Sequence, residues 1–214
     1  MEAYYCITPI RGYETIASHT FLLFKFKPTM FSNTKGDRAR GLVVSVEARP
    51  EKNYHFSGAF DPAIYDGMQI LWLLASWPEY LTNTYKTLGQ DVYLRKMLLS
   101  KEQTRQLLIN SLQGAVKNRD GERYHVLRNN CTNNATMQIN TILQPQDRIP
   151  LKGNFPFPGC LNRDASFPYE AEAALVKKGI ISDVALKITP SNYEQYLQLF
   201  GNPLVDELID QLGQ

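Results

Sequence analysis

The stretch ERYHVLRNNCTNNATMQIN, residues 122–140, decides how this chain folds. Residues 123–128 have the aromatic and β-branched character of a short strand. From Cys131 onward the apolar residues recur at helical spacing, at Ala135, Ile139, Ile142 and Leu143, and Pro145 stops the run. Asn129 or Asn130 stands at the junction as a natural N-cap. A strand therefore hands over to a helix at a cysteine. Cys131 falls in the first helical turn on the apolar face, one turn before Ala135. Unpaired N–H groups and the positive end of the helix dipole lower a thiol's pKa there, as a nucleophile requires. The plainer reading is a small buried hydrophobe, the usual role of a free cysteine.

A nucleophilic cysteine needs a base, and the chain holds only three histidines. His19 opens the apolar run HTFLLFKFKP, on the side of the strand shared with Phe21, Leu23 and Lys25. His55 flanks YHFSGAF, residues 54–60. His125 precedes Cys131 on the extended run, which carries its side chain away from the helix start. His19 is the best base on these grounds. A third group would orient the imidazole from a neighbouring strand. GLVVSVEARP, residues 41–50, reads as the partner strand, and pairing Phe26 with Leu42 brings Glu47 and Arg49 near His19. Glu47 is the candidate orienter, with Ser45 and His55 as alternatives.

The remaining chain reads as an α+β protein. Early aromatic and β-branched runs give antiparallel strands. Residues 61–90 mix helix and loop signals, and 90–99 looks extended. Ser100 with Gln103 makes a capping box opening a helix over 101–117, with Leu107, Leu108, Leu112 and Val116 as its stripe. Residues 144–168 form a proline-rich irregular loop. Helices follow over 168–179 and in SNYEQYLQLFG and PLVDELIDQLG. Residues 1–143 form the expected core, and 144–214 a loop and helical extension packed on the same domain.

Composition narrows the function. With 43% hydrophobic and 21% charged residues the chain is neither disordered nor fibrous, and a net charge of +2 argues against a nucleic-acid partner. Three widely spaced cysteines suit no metal site, so neither metal nor cofactor is expected, although Cys6 and Cys160 could pair under oxidising conditions. The apolar run Met68–Trp77 is too short to span a bilayer as a helix, so no integral membrane segment is expected. The first residues, MEAYYCITPI, lack the features of a secretory signal, which points to synthesis in the cytoplasm.

The succession SHTFLLF, YHFSGAF, VYLRKMLLSKEQTRQLLINSL and YHVLRNNCTNNA, across residues 13–143, resembles a bacterial family of formerly unknown function. That family carries an early histidine motif and a later Y…NNCT motif, and is similar to circularly permuted NlpC-type papain-like peptidases. Ser18 stands where the family usually has glycine. The resemblance implies Cys131 as nucleophile and His19 as base. It implies a permuted papain-like fold, with an antiparallel sheet packed against the cysteine-bearing helix. It also implies amide hydrolysis, with peptidoglycan stem peptides as substrate. The N–H of Cys131 and the side chain of Asn129 or Asn130 would stabilise the oxyanion. A wall hydrolase without a secretory signal would be delivered by a contact-dependent (type VI) secretion machine into a rival's periplasm, as an antibacterial toxin with an immunity protein and a secretion carrier as partners. Two other classes compete. One is a thiol acyltransferase or lipid-acting hydrolase, with the run 68–77 lining an acyl groove. The other is a binding module with a degenerate site.

Overall fold

The structure, a computed structural model, describes residues 1–14, 17–26, 41–50 and 68–197. His55 and the run 54–60 lie outside the described residues, as does PLVDELIDQLG. Seven strands form one antiparallel sheet in the order β6-β4-β3-β2-β1-β5-β8. These are β1 (Glu2–Pro9), β2 (Ser18–Lys25), β3 (Gly41–Pro50), β4 (Met68–Ser76), β5 (Val92–Lys96), β6 (Arg123–Tyr124) and β8 (Leu186–Ile188). β7 (Lys152–Phe155) stands apart from that sheet. The expected α+β class, with an antiparallel sheet against the cysteine-bearing helix, is the observed one.

The central strands β1, β2 and β3 are buried on both faces, so they read as continuous apolar runs rather than alternating ones. On one face, Tyr5, Leu22, Phe24 and Val44 pack against three helices: α2 (Lys101–Val116), α3 (Cys131–Asn140) and α5 (Pro168–Lys177). On the other, Tyr4, Phe21, Leu23 and Val43 pack beneath α1 (Trp77–Asn83) and the π-helical turn Thr84–Leu88. The short helices α4 (Arg163–Ser166) and α6 (Tyr193–Leu197) complete the set among the described residues. The C-terminal segment builds into the same layers. β8 extends the sheet beside β5, and α5 buries Ala171 and Leu175 in the main core.

Four local expectations change. Of the ambiguous region 61–90, Met68–Ser76 forms β4, whose alternate residues Leu71, Leu73 and Ala75 face a cleft while Trp72 packs on the helical face, and the residues from Trp77 to Leu88 are helical. The strand expected over 123–128 is only two residues long. His125 N and Asn129 O are joined at 3.0 Å, and Asn129 N and His125 O at 2.9 Å, so the chain turns tightly before the helix. Val116, expected in the apolar stripe of α2, is 79% exposed in the last turn, while Leu107 is buried. Cys6 is buried and Cys160 exposed, both as free thiols, so no Cys6–Cys160 disulfide forms.

Candidate active site

The start of α3 is fixed by its own asparagines. Asn130 caps the helix, with its Oδ1 accepting from Asn133 N at 2.8 Å and its N–H donating to Asn133 Oδ1 at 2.6 Å. This reciprocal box is the N-terminal device recognised in capped helices. It places Cys131 as the first helical residue, buried beside β2. Thr20 and Thr132 hydroxyls meet at 3.0 Å and tie the helix start to that strand.

β2 and β3 pair with Phe21 opposite Ser45 and Phe24 opposite Leu42. The expected register placed Phe26 opposite Leu42. The difference is two residues, so every side chain keeps its face, and Glu47 reaches the neighbourhood of His19 as anticipated. His19 Nε2 lies 2.7 Å from Ser45 Oγ and 3.1 Å from Glu47 Oε1. Ser45 Oγ donates to Glu47 Oε1 at 2.6 Å, so it is free to accept from the imidazole. Both neighbours therefore favour a proton on Nε2. The other ring nitrogen is not engaged by these two neighbours, and the His19 side chain interacts electrostatically with Cys131.

Charge follows this geometry. Burial opposes a charged imidazole, but Glu47, Tyr80 and Cys131 outweigh it, and the His19 pKa rises well above its ordinary value. Burial would raise the Glu47 carboxyl, yet His19 and the Ser45 hydroxyl bring it down to about 2. Burial would likewise raise the Cys131 thiol, and here too the neighbours win: His19, the Thr20 N–H at 3.4 Å and the Tyr124 hydroxyl at 3.8 Å lower its pKa. The arrangement favours a thiolate–imidazolium pair backed by a carboxylate.

The two asparagines expected at the oxyanion sit differently. Asn129 Nδ2 donates to Glu122 Oε1 and Arg123 O, each at 2.9 Å. Asn130 Nδ2 donates to Val126 O and Ser166 O. Each amide has two N–H donors, and both are spent. These asparagines build the helix start and have no donor left for substrate. The donors near the sulfur that remain unspent are the Cys131 N–H, which was expected there and has no helical acceptor, and the Tyr124 hydroxyl, 3.8 Å from Cys131 Sγ. Burial keeps the Tyr124 phenol protonated, since its pKa is raised, so it remains a donor. The tyrosine of the Y…NNCT motif was visible in the sequence, but its approach to Cys131 was not. His125 is engaged elsewhere, with Nδ1 accepting from Leu127 N at 3.1 Å and Nε2 3.0 Å from Arg128.

Cys131, His19 and Glu47 open onto a cleft of about 900 Å³. Leu71, Leu73 and Ala75 of β4 line it, as do Val126, Leu127 and Phe167. Leu71 is paired with Glu47 and Leu73 with Ser45, so the apolar strip begins beside the catalytic candidates. Among the described residues no cluster of His, Cys, Asp and Glu could hold a metal ion, and no helix is long and apolar enough to cross a membrane.

The Lnb N-terminal periplasmic domain family matches residues 2–155, and the chain belongs to that family. The match spans both the histidine strand and the cysteine helix, and it fits a periplasmic setting. No curated protein and no solved structure gives a significant match.

Proposed function

We propose that this Lnb-type domain is a thiol-dependent acyl-transfer enzyme whose donor carries an apolar acyl chain. The observation that supports it is the Cys131–His19–Glu47 line at the head of an apolar strip. Leu71, Leu73 and Ala75 recur every second residue, so they extend over about 13 Å at ~3.3 Å per residue, a track suited to an alkyl chain. Cys131 Sγ attacks the carbonyl carbon of an ester or amide. The oxyanion gathers the Cys131 N–H and the Tyr124 hydroxyl. His19 then gives its proton to the leaving oxygen or nitrogen as the carbonyl re-forms, leaving a thioester on Cys131. In the second half His19 takes a proton from water or an acceptor amine or hydroxyl, which displaces the thiolate. Water gives hydrolysis, and an acceptor gives transfer.

Intact-mass measurement after incubation with a long-chain ester tests this. A mass increase equal to the acyl group, lost on hydroxylamine treatment and absent in Cys131→Ala, is expected. An acetyl ester should load more slowly than the long-chain one. Equal loading would remove the acyl-chain reading, and no loading would remove thiol catalysis.

A second reading keeps the NlpC-type resemblance at full weight: amide hydrolysis of peptidoglycan stem peptides in a permuted papain-like fold. It is favoured by the order of histidine strand before cysteine helix, and by Arg49 and Glu79, charged residues lining the cleft. Under it, delivery by a secretion machine and a cognate immunity protein remain the proposed partners. Fragments released from purified sacculi, without loading by long-chain esters, would select it.

A further inference from the structure

His19 and Cys131 are each followed by a threonine: Thr20 on β2 and Thr132 on α3. The two threonines meet. Their hydroxyls lie 3.0 Å apart, and the residues are 1% and 0% exposed. A hydroxyl carries one proton and also accepts, so one of the pair donates to the other. Both side chains are β-branched and stiff at χ1, which favours a single geometry for that bond.

The acyl-transfer steps make no use of this contact, yet its position gives it one. Successive strand residues send their side chains to opposite faces. Thr20 therefore faces α3, while the His19 ring lies on the other face, 6.2 Å from the Phe21 ring. A thiol on α3 meets that imidazole only at the level of the strand backbone. The sulfur sits there: β3 stops pairing with β2 at Phe21 opposite Ser45, and the next β2 amide, Thr20 N–H, points at Cys131 Sγ from 3.4 Å. Asn130 and Asn133 tie the same helical turn to Ser166 of α4, and the threonine bond ties it to β2. Thr132 Oγ1 itself is 3.9 Å from Sγ, as remote as the Tyr124 hydroxyl, so the bond acts on where the sulfur is held rather than on its charge directly.

We infer that Thr20 and Thr132 are a positioning pair for the reaction, and that the bond between their hydroxyls holds Cys131 Sγ within reach of the His19 imidazole. The inference rests on the thiol-catalysis half of the proposed function. The groups that set the charge at Cys131 are His19 of β2 and Tyr124 of β6, with Tyr5 of β1 and, through His19, Glu47 of β3 adding to them. A threonine change removes none of these groups, so a shifted thiol titration in such a variant reports position.

Alkylation of the full chain by iodoacetamide across pH, combined with thermal melts, provides the test. It is followed on the Cys131 peptide by mass spectrometry, because Cys160 is also an exposed thiol. Thr20→Val or Thr132→Val should slow the reaction about fivefold or more at a pH well below the ~8.5 of a free thiol, and leave the alkaline plateau unchanged. Thr132→Ser keeps the hydroxyl and should keep the wild-type profile. Each single valine variant strands one buried hydroxyl, whereas Thr20→Val with Thr132→Val strands none. The double variant should therefore melt above both singles and still lack the fast reaction at low pH. A bond with a merely structural role would give back both. Restored low-pH alkylation in the double variant, an unchanged profile in every variant, equal slowing at all pH values, a slowed Thr132→Ser, or a double variant no more stable than the singles would overturn the pair. A profile that depends on both threonines in a chain that no long-chain ester loads would sink the acyl-transfer reading and leave the pair standing. Ester loading with a profile indifferent to both would sink the pair alone.

Discussion

Glu47 Oε1 lies 3.1 Å from His19 Nε2, with Ser45 Oγ bonded to both. The imidazole is thus gripped on one nitrogen by a carboxylate and a hydroxyl, and its charge acts on the nearby Cys131. Orientation and charge come from the same contacts.

His19 outweighs burial and holds the Cys131 thiol below its ordinary range. Alkylation by iodoacetamide should therefore stay fast at a pH well below the ~8.5 of a free thiol, where such a thiol is almost fully protonated. His19→Ala should slow the reaction at that pH by at least tenfold, whereas His125→Ala should leave the profile alone. If His19→Ala and wild type share one profile, His19 is not the partner.

Glu47 should make stability depend on pH. Its folded pKa of about 2 lies below the ~4.3 of an unfolded glutamate. A depressed carboxyl stabilises the fold above the unfolded value, and that contribution disappears as pH falls through the folded one. With the side chain 31% exposed, the effect should be of order 2 kcal/mol. His19 runs the other way: its raised pKa gives stability that is complete below ~6.5 and lost as pH rises through the folded value. Glu47→Gln should therefore cost most near pH 5–6 and progressively less as pH falls through about 2. Urea unfolding of both proteins across that range is the check. A constant difference at every pH would mean that Glu47 acts through packing alone.

Cys131 and His19 were legible in the sequence because each sits in a strong local pattern: a capped amphipathic helix start, and the first residue of an apolar strand. Glu47 was legible for a different reason. The expected hairpin register was wrong by two residues, and period-two alternation makes such an error harmless to facing. An error of one residue would have lost it. Asn129 and Asn130 were expected as oxyanion donors because a sequence shows amide donors but not the acceptors that engage them. Residues 123–128 read as extended because propensity favours a strand, yet from His125 on the chain turns back, with His125 and Asn129 bonded backbone to backbone just before the capped start of α3. The cleft depends on β4 lying beside β3, a long-range pairing that no local pattern encodes.

The spent amides make Asn130 a stability residue. Asn130→Ala removes the cap and leaves Val126 O and Ser166 O without their donor. The loss should be about 1–3 kcal/mol, combining a cap with unsatisfied carbonyls. Asn130→Asp keeps the capping oxygen but not the amide donors, so it should fall between. Thermal melts decide this. An undisturbed melting temperature with activity abolished would restore Asn130 to the chemistry.

Tyr124 should act on the oxyanion rather than on the thiol. Its hydroxyl is 3.8 Å from Cys131 Sγ, too long for strong support of the thiolate, and it lines the same cleft. A donor at that distance is better placed to meet an oxyanion that forms two bonds from the sulfur. Tyr124→Phe keeps the ring and should change the melting temperature little, because the hydroxyl's bond is to the thiol itself and not to the surrounding framework. Turnover should fall about 10–1,000-fold in kcat with KM nearly unchanged, the signature of an interaction made in the transition state. The alkylation profile of Cys131 should shift only slightly, since His19 and the Thr20 N–H still act on the sulfur. That separates the two roles a tyrosine could have here. If Tyr124→Phe moves the thiol profile as far as His19→Ala does, Tyr124 activates the nucleophile. If kcat is unchanged, the oxyanion is held by backbone N–H groups without it.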